Sequence, residues 1–123
     1  MLWAGEMWQR ALRPFVGEDH ELTVHAGSMV ATPWSDLVCF AGLGPGEVSL
    51  DGRKLVGLSQ RRTRNGVRIQ GTLYTAPPAI DLARLLRPPR PAMPLPATAS
   101  LAVDPAALVG RLAAEVVSGG ERG

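Results

Sequence analysis

The sequence predicts an α+β fold, a mixed or antiparallel central sheet with flanking helices. Three observations predict it. Apolar residues recur with helical period at both ends of the chain, short alternating runs lie between them, and an Asn-Gly dipeptide joins two of those runs. The 123 residues are 46% hydrophobic and 20% charged, the composition of one globular domain rather than a disordered chain.

Leu2 to Phe15 forms the first helix. Trp3, Met7, Trp8, Ala11, Leu12 and Phe15 share one helical face, and Pro14 and Gly17 end it. No Ser, Asp or Asn caps its start, so upstream sequence is expected to be missing. Glu21–His25 alternates as a short strand. Leu37–Gly42 reads as a buried strand leading into the glycine-rich loop Gly42–Gly46. Glu47–Leu50 is a short strand, and Asp51-Gly52 a tight turn.

Arg53 to Tyr74 carries the clearest local signal. With Asn65-Gly66 as the two loop residues of a type I′ turn, Arg64 pairs with Val67, Arg61 with Gln70 and Gly57 with Tyr74. Val56, Leu58, Ile69 and Leu73 then form a core face. Gly57, Ser59, Arg61, Thr63, Arg68, Gln70, Thr72 and Tyr74 form a polar face, with a glycine where another group can approach the backbone. Pro77-Pro78 breaks the strand, and Ile80–Leu86 reads as a short helix. Five prolines from Pro88 to Pro96 make an extended connector. Asp104 caps a last helix that begins at Pro105, with Leu108, Val109, Leu112 and Val116 as its stripe and Ser118-Gly119-Gly120 as its stop. The expected organisation is a body over residues 1–86, a Pro-rich connector over 87–104, and a helix over 105–118 packed on the same body.

Charge is uneven along the chain. Residues 1–52 carry seven acids and two arginines, whereas residues 53–68 carry six cations and no acid. Twelve of the 13 cations are arginine, and Lys54 is the single lysine. The longest nearly unbroken apolar run, Leu37–Gly44, is far shorter than the ~20 residues of a membrane helix, so no membrane partner is expected. One cysteine, Cys39, excludes an internal disulfide and a cysteine-based zinc site, and makes a reducing, cytoplasmic location the expectation.

Few residues carry chemistry. Lys54 follows a tight turn at the head of the cationic hairpin, where it suits a phosphate or carboxylate, or a polarised acyl group; a lone lysine is otherwise a solvated surface charge. Arg61, Arg62, Arg64 and Arg68 could grip phosphate oxygens, or simply keep an edge hairpin soluble. Tyr74 is the only aromatic in the hairpin, so nucleic acid is not an expected partner. Cys39 on an apolar run reads as buried and inert unless a base or cation stands near. His20 and His25 have no metal-ligand spacing, and no metal site is expected. Gly42-x-Gly44-x-Gly46 is too sparse for a phosphate loop, and no Walker or dinucleotide fingerprint is present.

The stretch DGRKLVGLSQRRTRNGVRIQGTLY, Asp51 to Tyr74, resembles a segment of the lipoate–protein ligase A family, in the superfamily shared with biotin–protein ligases and octanoyl transferases. Lys54, Gly57, Arg61 and Gly71-Thr72 fit the family pattern without a gap, and Gln70 stands where the family often has His. The resemblance covers Trp3 to Val116 loosely. It implies the biotin/lipoate ligase-like catalytic fold, here its C-terminal part. It also implies ATP-dependent attachment of lipoate or octanoate, with Mg²⁺, to a lysine of a lipoyl carrier domain or glycine-cleavage H-type protein. Lys54 would contact the acyl carbonyl and phosphate; Gly57, Ser59, Arg61, Gln70, Gly71 and Thr72 would line the substrate and nucleotide site. In a regular strand Lys54 and Gly57 have opposite parity, so Lys54 is expected in the bend leading in or beyond a bulge.

The family's N-terminal Arg-Arg…Gly-Gly-Gly segment is absent, so the chain is expected to need another polypeptide for it, or to be inactive alone. The octanoyl-transferase branch carries a Cys-Phe fifteen residues before the Lys, the spacing of Cys39-Phe40 from Lys54. Cys39 as acyl nucleophile is therefore an alternative, and a non-enzymatic partner subunit or binding module is another.

Overall fold

The computed structural model describes residues 2–33, 39–77, 88 and 98–122, with Cys39 and the last four described by backbone alone. Helix α1 spans Leu2–Val16, β1 Leu22–Val24, β2 Val48–Leu50, β3 Arg53–Thr63, β4 Gly66–Leu73 and α2 Pro105–Arg122. The strands form one antiparallel sheet in the order β1-β2-β3-β4, so the α+β class holds. No helix among the described residues is long and apolar enough to cross a membrane. The helix expected over Ile80–Leu86 and the polyproline stretch of the connector lie outside the described residues.

The helices cover one face of the sheet. Leu12 and Val16 of α1 and Leu108 of α2 pack with Leu22, Val48, Leu55, Val56 and Ala99 in a single core. Arg10 bridges to Glu115 at 2.8 Å and ties α1 to α2. A β-bulge shapes this core: Val48 pairs with Val56 but Ser49 pairs with Lys54, leaving Leu55 as the extra residue on β3. Both Leu55 and Val56 are fully buried. A bulge sends two successive side chains toward the same face and shifts the parity of what precedes it. Lys54 is thereby turned to the open face, alongside Gly57.

Helix α1 packs through most of its expected face, with Ala11 and Leu12 buried and Trp8 and Phe15 against the core; Trp3 is the exception. Ala4, Gly5, Ala11, Leu12 and Val16 are buried, while Trp3 is 61% exposed. A Cβ at Gly5 would overlap the Gly46 carbonyl, so the small residues set the closest approach and Trp3 turns outward. Pro14 lies within the last turn. Gly17, with φ 81°, closes the helix through its N–H to the Arg13 carbonyl. In α2, Asp104 accepts from the Ala107 N–H at 3.2 Å, the expected cap. Leu108 is buried and Leu112 and Glu115 are half-buried on the inward side, while Val109 and Val116 face outward, a correction to the expected stripe. The helix also runs past Ser118 to Arg122, since glycine within a helix costs only ~1 kcal/mol and does not forbid it.

Two further expectations are corrected. Cys39–Ala41 is a short 3₁₀ turn rather than part of a strand. In the β3–β4 hairpin the loop is Arg64-Asn65, with Thr63 opposite Gly66, so Arg61 faces Arg68 and Gly57 faces Thr72. The Thr63 hydroxyl accepts from the Asn65 N–H at 3.3 Å and tightens the turn one residue early. Each pairing moves by two positions, so face membership is unchanged.

The β2–β3 turn is as expected, with Asp51 and Gly52 both at positive φ, 51° and 83°. Asp51 Oδ2 lies 2.7 Å from His20 Nδ1, and Oδ1 accepts from the Glu21 N–H at 2.9 Å. These bonds, the His20 one foremost, hold the Asp51 carboxyl below its usual 3.8. A depressed carboxyl stabilises the fold above its unfolded pKa and stops doing so as pH falls through its folded one. Asp51→Asn, which tolerates the same turn, should lower Tm at neutral pH, and the gap from the parent should close as pH drops below about 3.8. Thermal melts from pH 7 to pH 2 check this.

Candidate functional site

The open face beside the bulge has one loop segment over it and another along its edge. Val30 and Leu43 bond each other reciprocally, at 2.7 and 2.9 Å, and hold residues around them over the sheet. On the other side the segment from Thr98 runs parallel to the start of β3, with the Ala99 N–H donating to the Lys54 carbonyl at 2.8 Å. A cavity of about 190 Å³ lies between them. Val30, Phe40, Ala41 and Leu43 supply apolar wall, and Ser49, Lys54 and Thr98 supply polar groups.

Lys54 is fixed in this wall. Its Nζ donates to the Gly42 carbonyl at 2.8 Å, lies 3.1 Å from Glu47 Oε1, and sits 4.4 Å from the centre of the Phe40 ring. Its side chain is 11% exposed and that of Glu47 7%. Glu47 has further bonds: Oε1 accepts from the Gly44 N–H and Oε2 from the Leu58 N–H, each at 2.6 Å. One carboxylate therefore joins the glycine-rich loop, the cation and β3. A buried charge needs this combination of ion pair and hydrogen bonds to offset its desolvation.

Phe40 completes the group. Its ring lies over Gly57, where an added Cβ would stand 2.6 Å from Cε2, and 5.1 Å from the Tyr74 ring. Gly57 does admit a close approach, and the group that approaches is the chain's own phenyl ring. The bulge explains how Lys54 and Gly57, of opposite parity, meet the same ring.

The other expected residues separate. Gly71 lies on the helix-covered face, beneath the Trp8 indole. Ser59, Arg61, Gln70 and Thr72 share the face of Gly57 but are exposed and do not line the cavity. Cys39 opens the 3₁₀ turn that carries Phe40; its side chain lies outside the description. Glu47 was not singled out by the sequence. Its one signal there is an acid at the head of the short strand Glu47–Leu50. Among the described residues no group of three His, Cys, Asp or Glu side chains is placed to hold a metal.

Chemically, the cavity offers a protonated amine fixed by two acceptors and an apolar wall. This suits an anionic or carbonyl oxygen attached to an aliphatic group. Its volume is below the roughly 300–1,000 Å³ of pockets that enclose a drug-sized ligand, so it holds part of such a molecule. No family model, curated protein or solved structure matches the chain.

Two substitutions test this arrangement by urea denaturation. Glu47→Gln leaves the buried ammonium without its counter-ion and should cost about 3–5 kcal/mol, with most of the loss recovered when Lys54→Met is added. Gly57→Ala must displace Phe40 from Lys54 and Tyr74 and should cost about 1–3 kcal/mol.

Proposed function

We propose that this chain is a lipoate–protein ligase-like protein whose cavity beside Lys54 takes the acyl end of a lipoate or octanoate adenylate bound for a carrier-domain lysine. The observation that carries the reading is the bulge in β3. It turns the single lysine, on which the family resemblance rests, into a cavity with an apolar wall, and sets Gly57 beneath the Phe40 ring that forms part of that wall.

On this reading the one Lys54 N–H not engaged by Gly42 and Glu47 donates to the acyl carbonyl oxygen, and the ammonium charge attracts the neighbouring phosphate oxygen. Both acquire negative charge as the carbonyl is attacked, and a fixed cation at a half-enclosed site stabilises that charge. The carrier amine forms a C–N bond, the C–O bond to phosphate breaks, the nucleotide leaves as its monophosphate, and the amine proton passes to water. Glu47 keeps Lys54 in place, and Phe40 and Leu43 flank the aliphatic chain.

The described residues do not fit Mg²⁺, because both Glu47 oxygens are already bonded and no cluster of ligating side chains stands beside them. No step here passes through the metal. Activation with ATP and Mg²⁺ belongs, on this reading, to a polypeptide supplying the Arg-Arg…Gly-Gly-Gly segment. Cys39 as acyl nucleophile is the second reading, since Cys39 adjoins the Phe40 that Lys54 touches.

The test supplies preformed octanoyl-adenylate and an apo lipoyl-domain carrier to the full chain and follows carrier mass. Carrier octanoylation should fall at least tenfold in Lys54→Ala and persist in Cys39→Ser. Loss in Cys39→Ser with a thioester trapped in the parent would favour the transferase, and unchanged rates in Lys54→Ala would refute the site.

A further inference from the structure

The outer half of the β3–β4 hairpin leaves the body as a two-stranded arm. From Ser59 to Thr72 all residues of both strands and their turn are exposed. β4 is an edge of the sheet, and among the described residues no backbone bond is made to its outer side from Gly66 to Leu73. Such an edge is a row of donors and acceptors that templates an added strand.

The two faces of the arm differ. One carries Arg61 directly opposite Arg68, and like charges at facing positions repel. No salt bridge to any arm arginine is formed among the described residues, and no acid occurs between Arg53 and Tyr74. The other face carries Val67 and Ile69, 55% and 39% exposed, next to Arg62. Along β4 the order is therefore apolar, cationic, apolar: Val67, Arg68, Ile69.

We infer that this arm is a docking surface for an extended protein segment alternating acidic and apolar residues, which adds to the sheet beside β4. The backbone edge supplies the ladder. On one face an acid set beside Arg68 relieves the Arg61–Arg68 repulsion, and on the other an apolar side chain covers Val67 or Ile69. Nucleic acid fits less well: it leaves the two apolar residues uncovered, and the arm has no aromatic for base stacking, since Tyr74 lies at its base against Phe40. The inference does not depend on what binds beside Lys54.

The probe is a short labelled peptide alternating glutamate and valine, titrated into the full chain and followed by fluorescence anisotropy. It should bind, with amide hydrogen exchange slowed at β4. Binding should weaken at least tenfold in Arg68→Glu, and also in Val67→Lys, which removes the apolar contact without adding negative charge. Comparison peptides are one with the same residues in two blocks and one N-methylated along the edge that would face β4, and both should bind at least tenfold more weakly. Equal binding of all three peptides would overturn the inference in favour of undirected charge attraction. Tighter capture of a single-stranded oligonucleotide, a dimer of the chain through the arm that excludes the peptide, or no binding would also overturn it.

Discussion

A single buried ion pair organises the open face. Glu47 lies between a glycine-rich loop, a lysine and the middle strand, and each of its oxygens is bonded. Removing either charge alone would strand the other in a site with little water, so the two are kept together and tie the loop to β3. The Phe40 ring then has a fixed cation beside it and a glycine beneath it. The cavity exists because these three segments converge on that pair.

The bulge is the backbone counterpart of this pair. Without an extra residue on β3, keeping Val56 in the core would expel Leu55 and bring Lys54 in. With it, two successive apolar side chains pack under the helices while the lysine emerges on the opposite side. The helix-covered face supplies stability, the inner part of the open face a cavity, and the outer hairpin an exposed arm. The sheet divides these tasks by distance from the bulge.

The sequence carried much of this, for local reasons. Asp51-Gly52 reads as a turn because both positions tolerate positive φ, and Asp104 reads as a cap because its carboxylate is one bond from the helix N–H groups. The parity conflict between Lys54 and Gly57 called for a bend or a bulge, and the structure has the bulge. What was not legible is contact across the chain. Nothing near Gly57 announces Phe40, and nothing near Gly71 announces Trp8. Glu47 reads as the start of a strand until Gly44, Lys54 and Leu58 are placed around it. The hairpin register slipped because a threonine hydroxyl outweighed an Asn-Gly preference; the faces survived because a shift of two restores parity.

Whether Lys54 meets the carbonyl end of an acyl chain is tested most directly by nuclear magnetic resonance. The full chain would be titrated with a non-hydrolysable octanoyl-sulfamate analogue of the adenylate, with the lysine side chain and backbone isotopically labelled. Saturable shifts are expected at the single lysine ammonium and at Gly42, Phe40 and Leu43, with the outer hairpin undisturbed. An unmoved lysine resonance at saturating analogue, or shifts confined to the arginines of the hairpin, would contradict it.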